Sequence, residues 1–166
     1  MEIAVRVEPT HEALPPVDYR WDVDTDILTA AWKGAPAGDG MSGAVEVEGS
    51  DGSWLVFDVA GGIIAGVEVA VWPDVRTVVG FAAPTDAVAG RVTIPARRSQ
   101  PGVASFELDT QVAAHTDAKE RTIHFRIGVS RTVRHVRIAK DILLDIDERE
   151  HLAGVWLLNV PPAPAD

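Results

Sequence analysis

Alternation of apolar and polar residues with period two runs from end to end of this chain, the signature of strands with one face in a core. IAVRV (Ile3 to Val7), AVEVE (Ala44 to Glu48), GVEVAV (Gly66 to Val71) and TIHFRI (Thr122 to Ile127) all follow it. Between such stretches lie DVDTD, EGSDGS, VAGG, RRSQPG and DEREH, clusters of the residues that turn a chain. Further strands are expected within Asp74 to Thr110, at RTVVGF, GRVTIP and ASFELDTQV. The best helical candidates are short, THEA near Thr10 and VRHVRIAK near Val133. Many short strands with frequent turns predict an all-β fold: antiparallel sheets in a sandwich or barrel-like arrangement.

An internal repeat sharpens this expectation. WLVFDVAGGIIAGVEVAVWP (Trp54 to Pro73) and ILLDIDEREHLAGVWLLNVPP (Ile142 to Pro162) share one order of features. An apolar strand ends in Asp (Asp58, Asp145), a turn follows, Ala-Gly-Val restarts the chain, and Pro stops it. Upstream, Asp22 aligns with Asp117 and Leu28 with Ile123, whereas Asp26 falls on Arg121. Two related β-meander modules are therefore expected: 1–75 and 113–162, with linking strands at 76–112 and a tail at 163–166, packed as one domain or two.

If the strand after the first turn is regular, Val67, Val69 and Val71 share one face and Gly66, Glu68, Ala70 and Trp72 the other. The second copy sets Gly154, Trp156 and Leu158 on the equivalent face. Both faces are largely apolar, which implies a second covering layer or a partner. Gly66 and Gly154 inside strands mark a bulge or the close approach of another backbone. Asp22 and Asp26 flank a tight turn, where carboxylates cap N–H groups and αL geometry is tolerated.

The first half resembles a bacterial family catalogued as domain of unknown function 2283. The resemblance lies in an aromatic-Asp-x-x-x-Asp-x-Leu hairpin (Trp21, Asp22, Asp26, Leu28) and a later Ile-x-Gly-Val-Glu-Val strand (Ile64, Gly66, Val67, Glu68, Val69). It covers about residues 17–73, and a diverged copy covers about 113–162, with Trp156 where the motif has Glu. The family implies a small antiparallel β module without assigned activity, and, loosely, a toxin–antitoxin-like protein partner.

Composition narrows the chemistry. The 166 residues include no cysteine, so disulfides, thiolate nucleophiles and cysteine-bearing zinc sites are excluded. The net charge of −10 repels nucleic acid and anionic membrane at long range. No apolar run reaches the length of a membrane span, and no export signal precedes Ile3, so a cytoplasmic protein is expected. Asp22, Asp24 and Asp26 imitate a calcium loop, but its Gly and Glu positions hold Ile27 and Lys33. His124 and His135 can face one another across a hairpin, more as a cross-strand polar pair than as a zinc site. No nucleophile elbow, phosphate loop or dinucleotide fingerprint occurs. No catalytic residue, metal or cofactor is expected.

GRVTIPARRSQPG (Gly90 to Gly102) is similar to the core of AbrB-like DNA-binding antitoxins, which would make Arg91, Arg97 and Arg98 nucleic-acid contacts. The plainer reading is an edge strand that Pro95 protects from further pairing. Trp156 is the candidate interface residue, an apolar anchor where the first copy carries a charge. The expected function is thus a non-enzymatic β protein working through protein–protein contact or self-association. A small-molecule-binding sandwich or barrel and an AbrB-like DNA binder are the alternatives.

Overall fold

A computed structural model describes residues 2–33, 42–95 and 103–164. Fourteen strands form along these: β1 (Arg6–Pro9), β2 (Asp18–Trp21), β3 (Leu28–Ala31), β4 (Ser42–Gly49), β5 (Trp54–Ala60), β6 (Ile63–Val71) and β7 (Val75–Thr77). They continue as β8 (Val88–Thr93), β9 (Val103–Thr110), β10 (Val112–Thr116), β11 (Ile123–Ile127), β12 (Val133–Ala139), β13 (Ile142–Asp147) and β14 (Leu152–Leu157). No helix occurs among the described residues. Both helical candidates are corrected: VRHVRIAK forms β12, and THEA is irregular. β-Branched residues and alternating burial override the weak helical spacing there.

All fourteen strands belong to one curled, mixed sheet, a half-barrel. Its pairs are mostly antiparallel, as expected, but β7–β10, β8–β12 and β4–β9 are parallel. Short-range alternation carries no information on strand direction, so the linking strands could not be oriented from sequence.

Two five-strand units stand out. β2–β6 pair in the order β2-β3-β6-β5-β4, and β10–β14 in the order β10-β11-β14-β13-β12. The registers also correspond. Leu28 opposes Val69 and Ala31 opposes Gly66, as Ile123 opposes Leu157 and Arg126 opposes Gly154. Asp58 faces Gly66 and Asp145 faces Gly154, each just before a register shift. Turn chemistry explains the hairpins: Gly61 and Gly62 both take positive φ in the two-residue β5–β6 turn, while the longer β13–β14 turn places Glu150 there. Asp22 Oδ1 accepts from the backbone N–H of Asp24 and Thr25, and Asp26 has φ 60°, as the Asp-flanked turn requires. Asp117 does the same work for the β10–β11 turn, accepting from the N–H of Arg121 and Thr122.

One continuous core joins both units. Leu28, Leu55, Phe57 and Val67 from the first meet Phe125, Leu144, Val155 and Leu157 from the second, all essentially inaccessible. Val71 and Trp72 depart from the regular alternation. Val69 pairs with Leu55 but Val71 with Trp54, so Ala70 is an extra residue, a bulge. Beyond it the faces exchange: Val71 becomes exposed, and Trp72 packs against the core beside Trp21 and Phe125.

β8 pairs with β1 along one edge and, in turn, with β12 and β6 along the other. The edge-strand reading of GRVTIP is therefore corrected: Pro95 follows the strand and guards no edge.

Candidate functional site

Asp145 sits within the unbroken buried run of β13, where a lone carboxylate needs several donors to persist. Three reach it. His124 Nε2 on β11 lies 2.7 Å from Oδ2, His135 Nδ1 on β12 lies 2.7 Å from Oδ1, and Trp156 Nε1 on β14 donates to Oδ1 at 3.0 Å. Asp145 is 3% exposed. Gly154 makes this possible, because a Cβ there would sit 2.7 Å from Asp145 Oδ2 and 2.7 Å from the Phe125 carbonyl oxygen. The expected cross-hairpin pairing of His124 with His135 is corrected: β14 and β13 lie between their strands, and the two rings are joined only through the Asp145 carboxylate.

The site lies on the outward face of unit two, opposite the core. The segment between β7 and β8 crosses this face as a strap: Phe81, Ala83 and Ala87 pack on Trp156, Leu143 and Leu158. Phe81 stacks on Trp156 at 5.3 Å, and Trp156 stacks on His124 at 4.2 Å. Trp156, expected at an interface, is 8% exposed and lies beneath the chain's own strap. Cations ring the strap. Arg76, His115 and His124 are successive cross-strand neighbours, and Arg126 and Arg137 sit on the same face. Burial, with the charges of His124, Arg126 and Arg76 around it, lowers the pKa of His115.

Unit one carries the same positions with different residues. By register, Thr29, Ala44 and Glu68 stand where unit two has His124, His135 and Trp156, and Glu46 stands for Arg137. Asp58, the counterpart of Asp145, is exposed, and the neighbouring chain desolvates it enough to raise its pKa. Gly66 again leaves room for the opposing carboxylate, its Cβ position lying 3.0 Å from Asp58 Oδ2. Glu68 is half-buried beside Val56, while Trp54 is 40% exposed and Val71 46% exposed. The outward face of unit one is acidic and apolar; that of unit two is basic and strapped.

The remaining expected residues are placed as follows. Leu28 is fully buried, and Trp21 donates from Nε1 to the Pro161 carbonyl at 2.9 Å. Arg91 pairs with Glu12 at 2.6 Å on an interior strand. Arg97 and Arg98 lie outside the described residues.

Sequence reasoning did not find a third group, Glu2, Asp147 and His151, whose ligand atoms lie within 4.8 Å of one another. His151 Nδ1 approaches Glu2 Oε2 at 2.8 Å without the alignment of a hydrogen bond. Its chemistry suits a cation poorly, because the Arg131 guanidinium already holds Asp147 Oδ2 at 2.8 Å. Burial pushes the Asp147 pKa up, but Arg131 and the N–H groups of His151 and Arg149 outweigh it and hold the group below the usual carboxylate value.

His124 Nε2 and His135 Nδ1 are both turned to Asp145. That geometry fixes β11, β12, β13 and β14 relative to one another. No family model matches the chain, and no curated protein does.

Proposed function

We propose that this is a non-catalytic β protein that works by protein–protein contact, and that its partner is a second copy of itself. The observation that carries the reading is the contrast between the two equivalent outward faces. On unit one an apolar centre, Trp54, Val56 and Val71, is bordered by Glu46, Glu48, Asp58 and Glu68. On unit two the strap carries Val79, 100% exposed, over a face on which Arg76, Arg126 and Arg137 stand by register. Apolar centre meets apolar ridge, and acid meets base. Such pairing sets register and partner choice at an interface. Two copies exchanging these contacts reciprocally form a closed dimer.

Common ancestry of the units belongs to the same proposal. Shared strand order, registers and Asp–Gly pairs support a duplication within a module like the domain of unknown function 2283. The second copy would then have gained two histidines and a tryptophan around an aspartate that the first keeps exposed.

Sedimentation velocity tests the reading. The expected result is a dimer at low ionic strength that dissociates as salt rises, since rim charges are screened over ~10 Å at 0.1 M. Glu46→Lys with Glu68→Lys is expected to yield a monomer, and Arg126→Glu with Arg137→Glu to restore dimer when mixed with it. A strictly monomeric protein at every salt concentration overturns the proposal.

A further inference from the structure

The C-terminal segment does not simply run off β14. Asn159 takes φ 52° and turns the chain, with its Nδ2 donating to Asp141 Oδ1 at 2.8 Å. Val160 N–H donates to the Arg121 carbonyl at 3.0 Å, the last backbone donor before the Pro161–Pro162 step. Two aromatic donors then meet carbonyls along this stretch: Tyr19 Oη donates to Leu158 at 2.7 Å and Trp21 Nε1 to Pro161 at 2.9 Å. Trp21 stacks on Trp72 at 5.7 Å and 12°, and Trp72 Nε1 is itself spent on the Asp26 carbonyl at 2.8 Å.

This is a chemically specific arrangement. A Pro-Pro step offers no N–H, so it is recognised by donors aimed at its carbonyls and by flat rings that take its pyrrolidine faces. Trp21 supplies the donor, and the Trp21 and Trp72 rings line a cleft that the tail borders. About 480 Å³ of space is lined by Trp21, Trp72, Thr116, Lys119, Ile123 and the tail, within the range of ligand sites. Pro162, Ala163 and Pro164 are exposed, so the tail is held at Pro161 and not beyond.

We propose that the Trp21–Trp72 cleft binds an extended proline-rich segment of a partner protein, and that the chain's own Pro161–Pro162 occupies the same positions as an internal competitor. The polyproline conformation costs little entropy to fix, which is why so small a set of contacts suffices. Trp21 and Trp72 pack on the core side rather than on the outward faces, and the test reads peptide binding, not self-association.

Titration of the full chain with a synthetic decapeptide of Pro-Pro-Ala-Pro repeats, followed by tryptophan fluorescence and by calorimetry, is the experiment. Saturable binding is expected. Pro161→Ser with Pro162→Ser is expected to tighten it about tenfold, because a tail that fills the cleft nine-tenths of the time reduces apparent affinity by that factor. Trp21→Phe keeps a ring and removes the donor, and is expected to weaken binding while the circular dichroism spectrum shows the fold intact. Absence of binding at millimolar peptide to both the full chain and the Pro161/Pro162 variant overturns the proposal, as does binding that Trp21→Phe leaves unaltered.

Discussion

Replacing Gly154 and Gly66 by alanine separates the two units experimentally. Neither glycine has a left-handed φ, so the backbone accepts alanine at both positions. The difference lies in what a methyl group meets. At Gly154 it would sit 2.7 Å from Asp145 Oδ2, 2.7 Å from the Phe125 carbonyl oxygen and 3.1 Å from His124 Nε2. The carbonyl is fixed in the β11–β14 ladder, and the carboxylate is held by three donors. Overpacking of this kind costs about 1–3 kcal/mol. Displacing the carboxylate weakens at least one charge-assisted bond, worth about 1.5–3 kcal/mol. A total near 4 kcal/mol corresponds to a melting temperature lower by about 8–16 °C in a chain of this size. At Gly66 the nearest atom is Asp58 Oδ2 at 3.0 Å, the end of an exposed side chain that can swing away, and the Ala30 carbonyl is at 3.4 Å. The lower entropy of the unfolded alanine chain offsets the small clash by about 0.4–1 kcal/mol. Gly66→Ala should therefore stay within about 1 kcal/mol of the parent. Urea and thermal unfolding of both variants give the comparison. Equal destabilisation would refute the claim that Asp145 is locked in a network that Asp58 lacks.

Three further outcomes follow from the same structure. His124→Ala and His135→Ala each remove a donor from a buried carboxylate and should cost about 1–3 kcal/mol; urea unfolding of the double variant should show non-additivity of at least about 0.5 kcal/mol, because both act on Asp145. Phe81→Ala should cost about 2 kcal/mol, less than a fully buried Phe, and should raise acrylamide quenching of Trp156 in a variant retaining that tryptophan alone. Asp147 has a lowered folded-state pKa, so its contribution to stability is complete above the unfolded value of about 3.9 and disappears as pH falls through the folded one. Asp147→Asn should flatten the acid limb of the stability profile, and an unchanged limb would contradict the Arg131–Asp147 assignment.

Much of this was legible along the chain. Alternation marked most strands, because each buries one face on a common core, and the Asp-flanked turn at Asp22 was readable from the capping chemistry of its carboxylate. The close approach of another backbone at Gly66 and Gly154 was anticipated, and the opposing aspartate approaches each glycine as well. What escaped sequence reading was long-range. Parallel pairing of β4 with β9 and of β8 with β12 depends on crossovers that local pattern does not encode. One extra residue at Ala70 reversed the faces of Val71 and Trp72. His124 and His135 were expected to face one another across a hairpin, but β14 and β13 separate their strands and they meet only through Asp145, which was taken as a repeat marker. The signal that would have named it a hub is an acidic residue inside an otherwise apolar run, ILLDID, which needs donors from neighbouring strands.

Hydroxyl-radical footprinting read by mass spectrometry, repeated over a range of protein concentrations at low salt, tests the contrast between an open face and a strapped one. In dilute solution Trp54 should oxidise rapidly and Trp156 slowly; on concentration Trp54 should become protected while Trp156 stays slow. A Trp54 that reacts at the same rate at every concentration, or a Trp156 as reactive as Trp54 in dilute solution, would contradict the account.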